Sequence, residues 1–499
     1  MTSLFAATLA SAPDKPVLFD DDRGWMAAGE LEAESRDLAG SLAAAGLEAG
    51  DRILMSAGPS VALAVAHVAA LRLGLVVVPM NTAYQAREIS HVVEDSRPKA
   101  VVSDRRERAR LVEEAAGVGA AGRSSPIVTI GIDGTAIRLP SGIGTSTSTS
   151  KPSLDQAEAR DPALLVYTSG TTGRPKGALL SHGNLLASAE AVRAAWRWTA
   201  EDRLVLPLPL FHVHGLVVGL HGTLAAGGSV VVRSRFSAED VGEAVGRHSA
   251  TMLFGVPTIY ARLTTKGRQL RRLRLCVSGS APLPTDLHRV FEEASGQRIL
   301  ERYGMTETLM NSSNPYDGER RAGTVGLALP GVELRLDQEA DDGAGEILVR
   351  GPNVFGGYWE RPEATAAAFD GAWFRTGDLG RFDPDGYLRI VGRKTELVIS
   401  GGFNVYPREV EDALREHVGV ADAAVIGWPH PEWGEQVVAF VEPTAHGATV
   451  SEADLIAFAA ERLAPYKRPK VIRVVAELPR NALGKVVKAD LGPGAPGKP

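Results

Sequence analysis

The sequence is poor in cysteine, because Cys276 is the single cysteine among 499 residues. One thiol cannot form an internal disulfide, and it cannot build a metal site that needs several thiolates. These absences agree with a protein of the reducing cytoplasm, and we predict that location.

A surplus of positive charge is also missing. The chain carries 54 Lys and Arg against 60 Asp and Glu, which gives a formal net charge of −6 at pH 7. Proteins that hold a nucleic-acid backbone usually present excess Lys and Arg to its phosphates. We therefore expect no nucleic-acid partner.

The sequence has no uninterrupted apolar run of membrane-spanning length. The two longest apolar stretches, residues 61–80 and 204–232, contain Arg72 and His214 respectively, which the interior of a bilayer would penalise. No Lys or Arg precedes the apolar start at residues 1–12, so the pattern predicts a first helix rather than a signal peptide. We expect no membrane partner.

The composition that remains is that of an ordinary globular protein, with 44% hydrophobic and 23% charged residues. Helical and strand patterns alternate through the first three hundred or so residues, which predicts parallel sheets, and residues 25–45 form an amphipathic pattern that predicts a helix. Short strand runs with turns predict a β-rich subdomain over about 330–393. Mixed helices and strands after residue 393 predict a separate α+β unit.

The strongest local signal is a strand followed by a loop of hydroxyls, glycines and one lysine, LLVYTSGTTGRPKG at 164–177. Glycines let backbone N–H groups approach a polyphosphate, hydroxyls donate to its oxygens, and Lys176 adds positive charge. It is not a Walker loop, because Gly170 and Gly173 are close together and Gly177 follows the lysine. The predicted phosphate contacts are Thr168, Ser169, Gly170, Thr171, Thr172, Gly173 and Lys176.

YTSGTTGRPKG at 167–177 resembles the phosphate loop of the adenylate-forming enzymes, which include acyl-CoA synthetases, nonribosomal adenylation domains and beetle luciferases. Five further motifs follow in the family's order, so the resemblance extends from residue 164 to residue 485. These motifs are GSAP at 279–282, YGMTET at 303–308, RTGD at 375–378, GRKTELVISGGFNVYPREVE at 392–411 and LPRNALGK at 478–485.

The resemblance implies a large N-terminal AMP-binding domain over 1–393 and a mobile C-terminal lid domain over 394–499. The large domain would hold two α/β sheet subdomains and a small β-barrel-like subdomain, the latter at about 330–393. The segment after Arg393 is implied to be the hinge, although Thr395 stands where the family commonly has Asp or Lys.

The resemblance also implies that the chain activates a carboxylate with ATP and Mg²⁺ and passes the acyl group to coenzyme A. Negative charge gathers at the α-phosphate in the transition state, so the site needs Mg²⁺ and positioned cations more than acid–base groups. Glu307 corresponds to the magnesium-binding glutamate, Thr306 lies beside the α-phosphate, and Lys485 bridges the reacting oxygens during adenylation only.

Other positions correspond to the family's contacts with nucleotide and CoA. Tyr303 would pack on adenine, Asp378 would accept the ribose hydroxyls, and Arg393 would support the ribose. After lid rotation, the glycines beside Ser400 would let the pantetheine arm approach closely. The remaining implied contacts are Ser280, Ala281, Glu301, Arg302, Gly304, Gly401 and Gly402.

Arg302 precedes the Tyr-Gly pair of the adenine motif, at a position that forms a wall of the acyl pocket in the family. Glycine often stands there when a long or aromatic acid must pass. A guanidinium would block such an acid and offer a bidentate partner to a second carboxylate. The alternative is that Arg302 turns outward and pairs with a surface acid.

FHVHG at 211–215 and the stretch at 301–320 resemble the malonyl-CoA synthetases. This resemblance implies a small acyl pocket in which the room near Met310 decides whether a 2-methyl group is accepted. The three histidines at 212, 214 and 221 lack an interspersed carboxylate at ligand spacing, so we do not predict a metal site there. The implied pocket residues are Arg302, His212, Val213, Met310 and Ser280.

We therefore predict ATP-dependent ligation of a small dicarboxylate, malonate or methylmalonate or both, to CoA through an acyl-adenylate, with release of AMP and pyrophosphate. Three alternatives remain: transfer of the acyl group to a carrier-protein thiol, ligation of a short monocarboxylate, and a nucleotide-sensing protein that has lost catalysis. The resemblance also makes Lys485 a candidate target of a lysine acyltransferase. The sequence leaves open the preference between malonate and methylmalonate and the oligomeric state.

Overall fold

A computed structural model describes residues 1–117, 127–140, 153–168, 175–337, 340, 343–444, 450–481 and 484–491. Within these ranges the chain forms four sheets surrounded by helices. The α-helices are α1 (Thr2–Ser11), α2 (Ala28–Ala44), α3 (Val61–Arg72), α4 (Ala86–Ser96), α5 (Arg106–Ala115), α6 (His182–Ala195), α7 (Gly222–Ala225), α8 (Ala238–Arg247), α9 (Pro257–Leu263), α10 (Gly267–Leu270), α11 (Thr285–Ser295), α12 (Pro362–Ala368), α13 (Pro407–Arg415) and α14 (Glu452–Arg462).

Seven strands form the first α/β sheet, in the order β7-β6-β5-β3-β4-β8-β9. The five central strands run parallel, and antiparallel hairpins close the two edges. The strands are β3 (Arg52–Ser56), β4 (Val76–Pro79), β5 (Ala100–Ser103), β6 (Val128–Asp133), β7 (Ala136–Arg138), β8 (Pro162–Thr168) and β9 (Lys176–Ser181).

Nine strands form the second α/β sheet, in the order β16-β15-β14-β13-β12-β10-β11-β1-β2. Its core, from β1 to β14, is parallel, with antiparallel strands at both ends. The strands are β1 (Pro16–Asp20), β2 (Gly24–Ala27), β10 (Arg203–Leu206), β11 (Ser229–Val232), β12 (Met252–Gly255), β13 (Leu275–Ser278), β14 (Ile299–Met305), β15 (Leu309–Ser313) and β16 (Leu327–Ala328).

The β-rich subdomain is an antiparallel sheet organised around one long strand, which pairs with three neighbours. Its strands are β17 (Glu333–Asp337), β18 (Gly345–Arg350), β19 (Phe369–Asp370), β20 (Trp373–Phe382) and β21 (Leu388–Arg393).

The C-terminal unit has its own sheet and its own apolar core, in which α13 and α14 pack against the strands. A separate core is the property expected of a unit that can move as a body. Its strands are β22 (Val398–Ser400), β23 (Phe403–Val405), β24 (Val420–His430), β25 (Gly434–Pro443) and β26 (Val471–Val474).

The first long apolar stretch of the sequence becomes α3 and β4 in the centre of the large domain. Every residue of α3 is buried, and this helix contacts α2 and strands of both α/β sheets. Within the described part of the chain, no helix combines the length and apolarity that crossing a membrane requires. The predicted fold class is confirmed.

One helix boundary differs from the sequence pattern. The predicted helix over 25–45 begins only at Ala28, because Trp25 belongs to β2, which pairs with β1. Trp25 also packs edge-on against His248 and beside Phe19, so tertiary contacts determine its conformation. The predicted first helix is present as α1.

Candidate active site

A cavity of about 700 Å³ opens where parallel strands of both α/β sheets end. Ligand sites in such sheets typically lie outside the carboxyl ends of the strands. All four structural units contribute to the lining, represented by Lys176, Arg302, Thr376 and Lys485.

The residues that flank the predicted phosphate loop lie at the end of the cavity formed by β8 and β9. These strands pair antiparallel, with Thr168 opposite Lys176, and both residues line the cavity. The other five predicted phosphate contacts, Ser169, Gly170, Thr171, Thr172 and Gly173, lie outside the described residues. The hairpin thus delivers both flanks of the loop to the cavity.

Glu307 and Thr306 follow β14 and line the cavity beside this hairpin. The Glu307 side chain is buried, and its Oε1 accepts hydrogen bonds from Tyr358 Oη at 3.1 Å and Thr168 Oγ1 at 3.4 Å. Burial raises the pKa of this carboxyl. A carboxylate among hydroxyls supplies the hard oxygen donors that Mg²⁺ prefers, so the residues present suit that ion.

Tyr303 and Asp378 are joined behind the cavity wall rather than on it. Tyr303 Oη donates to Asp378 Oδ2 at 2.6 Å, and Arg393 Nε lies 3.0 Å from Asp378 Oδ1. Arg393 itself lines the cavity, whereas neither of its two neighbours does. A ribose that bound Asp378 would therefore share its carboxylate with Tyr303 and Arg393.

Arg302 is buried at the other end of the cavity, with 5% of its surface exposed. Its Nε and Nη2 find no hydrogen-bond partner among the described residues. Burial lowers the pKa of the guanidinium to about 10, which leaves it charged at neutral pH. An unpaired buried cation is costly, so the pocket around Arg302 suits an anion.

A glycine makes room for this arginine. A Cβ placed on Gly279 would lie 2.5 Å from Arg302 Cζ, a distance that the two groups cannot tolerate. The alternative in which Arg302 turns outward to a surface acid is wrong, because the guanidinium packs against Gly279 inside the cavity wall.

His212, Val213 and His214 line the same end of the cavity as Arg302. Burial and, to a smaller extent, the charge of the nearby Arg302 lower the pKa of His212 to about 4, so this imidazole is neutral at pH 7. His214 Nδ1 lies 3.2 Å from Ser280 Oγ, and its Nε2 has no partner among the described residues. The pocket therefore combines one fixed cation with neutral polar groups.

The backbone that carries these histidines is unusual. A π-helix covers His214–His221, and π-helical turns often occur at functional sites. A Cβ on Gly215 would lie 2.3 Å from the carbonyl oxygen of Pro209, so the FHVHG sequence needs glycine at this point. Met310, on β15, and Ser280 complete the predicted acyl pocket in the cavity lining.

Lys485 reaches the cavity from the C-terminal unit. Asn481 Oδ1 accepts from the Lys485 backbone N–H at 3.1 Å, and both residues line the cavity. Partial removal of water and the charge of Arg393 lower the pKa of the lysine, while Glu396 and Asp378 oppose that change. The C-terminal unit thus places Lys485 in the cavity near Arg393, at the end that Lys176 and Glu307 also line.

Some predicted contacts lie away from the cavity in this lid position. Ser400 is buried within the lid, and Gly401 and Gly402 form an exposed turn between β22 and β23, outside the cavity lining. A CoA contact by this turn requires the lid to rotate. Gly304 lines the cavity, whereas Ala281 does not.

The cofactor contact predicted for Glu301 is not supported by this geometry. Side chains alternate along β14, so Arg302 faces the cavity while Glu301 is buried on the opposite side. Glu301 Oε1 accepts from the Leu283 backbone N–H at 3.1 Å. Burial raises the pKa of Glu301 to about 7, and the charge of Arg408 partly offsets the rise.

The sequence patterns predict no functional role for Tyr358. It lines the cavity, donates to Glu307, and lies 5.3 Å from Lys176 Nζ, measured to the ring centroid. The GGYW stretch that contains it has the appearance of an ordinary turn, so only the tertiary structure reveals its position.

The chain matches the family of AMP-binding enzymes over residues 5–359 and the C-terminal domain of AMP-binding enzymes over residues 409–485. It is 39% identical to a sulfoacetate–CoA ligase of Cupriavidus necator, an alignment that covers 98% of this chain and 97% of that protein. It is 35% identical to a malonate–CoA ligase of Arabidopsis thaliana, over 89% of this chain and 78% of that protein.

Among solved structures, the ATP-bound crystal structure of MatB from Rhodopseudomonas palustris superposes with a TM-score of 0.89 at 40% identity. The match covers 98% of both chains. The similarity therefore spans the large N-terminal part of the chain and the C-terminal unit.

Proposed function

The chain belongs to the AMP-binding enzyme family and is an AMP-forming acyl-CoA ligase that uses ATP, Mg²⁺ and CoA, and from that premise we propose that its acid is a small dicarboxylate, malonate or methylmalonate. One carboxylate would be activated at the nucleotide end of the cavity. The other would bind Arg302 at the acyl end.

The unpaired buried guanidinium of Arg302 carries this proposal. Two of its N–H-bearing atoms, Nε and Nη2, are buried without partners among the described residues, and a bidentate carboxylate that reached them would satisfy both. An acid with only one carboxylate would leave this cation buried and unsatisfied beside its alkyl chain. Malonate–CoA ligase activity in the Arabidopsis relative agrees with the assignment.

The first half-reaction follows from the order of groups along the cavity. Arg302 holds the distal carboxylate, so the near carboxylate oxygen points toward the nucleotide end and can attack the α-phosphorus. Thr306 and Lys485 would stabilise the charge that gathers on the phosphate oxygens. Glu307 would hold Mg²⁺, which neutralises phosphate charge when bound. Pyrophosphate leaves, and the acyl-adenylate remains.

The second half-reaction needs a thiol where Lys485 now lies. We propose that the lid, residues 394–499, rotates on the segment next to Thr395 and exchanges Lys485 for the Ser400-Gly401-Gly402 turn. The thiolate of CoA would then attack the acyl carbon, and AMP would leave. Supporting observations are the lid's own apolar core and the exposed position of the two glycines.

Sulfoacetate is a second candidate acid, favoured by the Cupriavidus relative. A sulfonate offers three oxygens, and the pocket offers a third unpartnered nitrogen, His214 Nε2, besides the two of Arg302. If Ser280 donates to His214 Nδ1, then Nε2 carries the proton and can donate. Arg302 would serve either anion, so the substrate panel decides between them.

The test is a panel of malonate, methylmalonate, sulfoacetate, acetate and octanoate, scored by pyrophosphate release and by mass spectrometry of the CoA thioester. We expect malonate or methylmalonate to give the highest kcat/KM. A higher value for acetate or octanoate would refute the proposal, and a higher value for sulfoacetate would establish the second candidate. Adenylate formation without thioester formation on free CoA would favour a carrier-protein acceptor.

Two further parts of the proposal concern the cell. A ligase that consumes ATP and CoA fits the cytoplasm, where both are available.

Lys485 becomes more accessible when the lid rotates, so we propose it as a site of regulatory acylation by a lysine acyltransferase. Mass spectrometry of protein purified from its host would detect the modified lysine.

A further inference from the structure

Tyr358 stands between two groups of opposite charge that both face the cavity. Its hydroxyl donates to Glu307 Oε1 at 3.1 Å, and its ring centroid lies 5.3 Å from Lys176 Nζ. Lys176 and Glu307 do not form an ion pair with each other in the described chain. One side chain therefore contacts the carboxylate through its hydroxyl and the ammonium through its ring.

The backbone around Tyr358 is fixed to both neighbours. On the Lys176 side, the segment pairs with β9: the Trp359 N–H donates to the Gly177 carbonyl at 2.8 Å, and Tyr358 is bridged to Ala178. On the Glu307 side, the Phe355 N–H donates to the Glu307 carbonyl at 2.8 Å. The segment 355–359 thus connects the exit of the phosphate loop to the end of β14.

Asp95, on α4, forms hydrogen bonds that hold the same segment in place. Asp95 accepts from Arg361 Nη2 at 2.5 Å and from Tyr167 Oη at 2.7 Å, and Tyr167 belongs to the strand that enters the phosphate loop. The Asp95 carbonyl also accepts from Trp359 Nε1 at 3.2 Å. These contacts hold the loop that carries Tyr358 in place. A residue that sets the distance between Lys176 and Glu307 needs such a fixed position.

Attraction between a cation and a carboxylate strengthens when water is removed. If Lys176 and Glu307 paired directly, each would lose the charge that a metal–triphosphate ligand needs. A ring attracts an ammonium without neutralising it, and a hydroxyl donates to a carboxylate without adding charge. Tyrosine can do both from a single position.

We propose that Tyr358 is a positioning residue that keeps Lys176 and Glu307 apart and aligned, so that the triphosphate and its Mg²⁺ enter a preset site. The inference rests on the phosphate contact predicted for Lys176 and on the metal role proposed for Glu307. It assigns to Tyr358 two separable functions: the hydroxyl serves the metal side, and the ring serves the phosphate side.

The test measures ATP binding by titration calorimetry, with and without Mg²⁺ and without any acid, so that no turnover occurs. Tyr358→Phe keeps the ring and removes the hydroxyl. We expect its affinity for ATP without Mg²⁺ to match the wild type, while the gain in affinity on adding Mg²⁺ falls about tenfold, as for the loss of a hydrogen bond to a charged group. Tyr358→Leu should in addition weaken ATP binding without Mg²⁺ by about two- to fivefold.

Tyr387→Phe is the matched control, because the Tyr387 hydroxyl donates to the Glu319 carbonyl at 2.9 Å outside the cavity lining. It should leave both affinities unchanged. The proposal is overturned if Tyr358→Phe keeps the full Mg²⁺-dependent gain, or if it weakens binding equally with and without Mg²⁺, as general damage would. If Tyr358→Leu fails to fold, the Phe variant alone decides.

The same titration separates this inference from the proposed acid. Wild-type protein that binds MgATP but ligates no dicarboxylate would contradict the proposed substrate and leave the role of Tyr358 open to the variant test, which needs no acid. Wild-type protein whose ATP affinity does not respond to Mg²⁺ would overturn the role of Tyr358 directly.

Discussion

At the scale of single residues, the cavity places its charges where ligand charges would develop. At the acyl end, Arg302 Nε and Nη2 have no partner in the described part of the chain, and Lys485, Arg393 and Lys176 face the nucleotide end. Neutral histidines lie beside Arg302 at the acyl end, since burial keeps His212 and His214 from taking up a second proton at pH 7. This distribution suits an acid with negative charge at both of its ends.

Lys485→Ala should abolish acyl-adenylate formation and spare the second step. Lys485 lines the cavity here, and in the proposed mechanism it leaves when the lid rotates, so its charge should act on the adenylation transition state alone. We expect at least a 100-fold loss in adenylation rate, equivalent to about 3 kcal/mol, which is the size seen when one preorganised donor is removed. Rates of thioester formation from presynthesised acyl-adenylate should change little. Equal losses in both half-reactions would contradict the role.

Several of these residues could be predicted from short motifs, and others could not. Glu307, Asp378 and Lys485 lie in motifs whose sequence and order along the chain resemble a family. The sequence alone is therefore enough to select them as candidate site residues. Tyr358 meets Glu307 across 51 positions of chain, and nothing in the residues around it signals that contact. The face of β14 occupied by Glu301 depends on strand register, which the motif alone does not reveal.

At the scale of elements, the site depends on short segments with special backbone geometry. The π-helix places His214 beside Ser280, and the turn at Gly484 places Lys485 in the cavity. Gly484 has a φ of +76°, and a Cβ there would lie 3.0 Å from Thr258 Oγ1 on α9 of the large domain. The C-terminal unit thus touches the large domain at the residue next to Lys485.

Gly484→Ala should therefore slow adenylation more than thioester formation. The added methyl strains the left-handed backbone and presses on Thr258, which together disfavour the present lid position by about 1 to 3 kcal/mol. We expect adenylation to fall by about tenfold or more in a pyrophosphate-release assay.

Gly434→Ala is the matched control for that variant. Gly434 also has a positive φ, +74°, but its nearest neighbour for a Cβ is the Ile399 carbonyl oxygen within the lid, at 3.7 Å. Gly434→Ala should strain the left-handed backbone without pressing on the large domain. The ratio of the adenylation rate to the thioester-formation rate should therefore stay unchanged. The same change of ratio in both variants would show that backbone strain, rather than docking on Thr258, is responsible.

Elements with strong periodicity followed the sequence closely, and the exceptions have physical causes. The predicted first helix is present as α1, and the β-rich subdomain predicted over about 330–393 contains β17 to β21. The start of α2 was wrong by three residues, because Trp25 gains more from pairing in β2 and packing on His248 than from extending the helix. The π-helix could not be foreseen, since its hydrogen-bond shift leaves no sequence period.

At the scale of the whole molecule, buried histidines link stability to pH. His67 Nε2 lies 2.6 Å from His221 Nε2 in the interior of the large domain, and His182 is buried nearby. Burial lowers the pKa of His67 to about 3 and that of His182 to about 4, so both are neutral when folded. In the unfolded chain they would bind protons below about pH 6.5.

The free energy of unfolding should accordingly fall as pH drops below about 6.5, by up to about 1.4 kcal/mol per pH unit for each such histidine. Above that pH these groups are neutral in both states and contribute no slope. Urea unfolding followed by tryptophan fluorescence at pH 7.5, 6.5 and 5.5 would measure it. His67→Gln should reduce the change in unfolding free energy per pH unit by the contribution of one bound proton. An unchanged pH dependence would contradict this explanation.

The division into a body and a lid also belongs to this scale. Length alone suggests about three domains at roughly 150 residues each, yet both α/β sheets and the β-rich subdomain enclose one cavity together with the lid. The lone cysteine fits this chemistry as well. Cys276 is buried, and the thiol that the reaction requires arrives on CoA.

The most direct test of the whole account is the ratio of kcat/KM for malonate to kcat/KM for acetate, in wild type and in Arg302→Met. Losing the partner of a buried carboxylate costs about 2 to 5 kcal/mol, so the ratio should fall at least about 30-fold. Arg289→Met, a change at a surface arginine paired with Glu293, should leave it unchanged. A wild-type preference for acetate, or a ratio that Arg302→Met does not alter, would contradict the account.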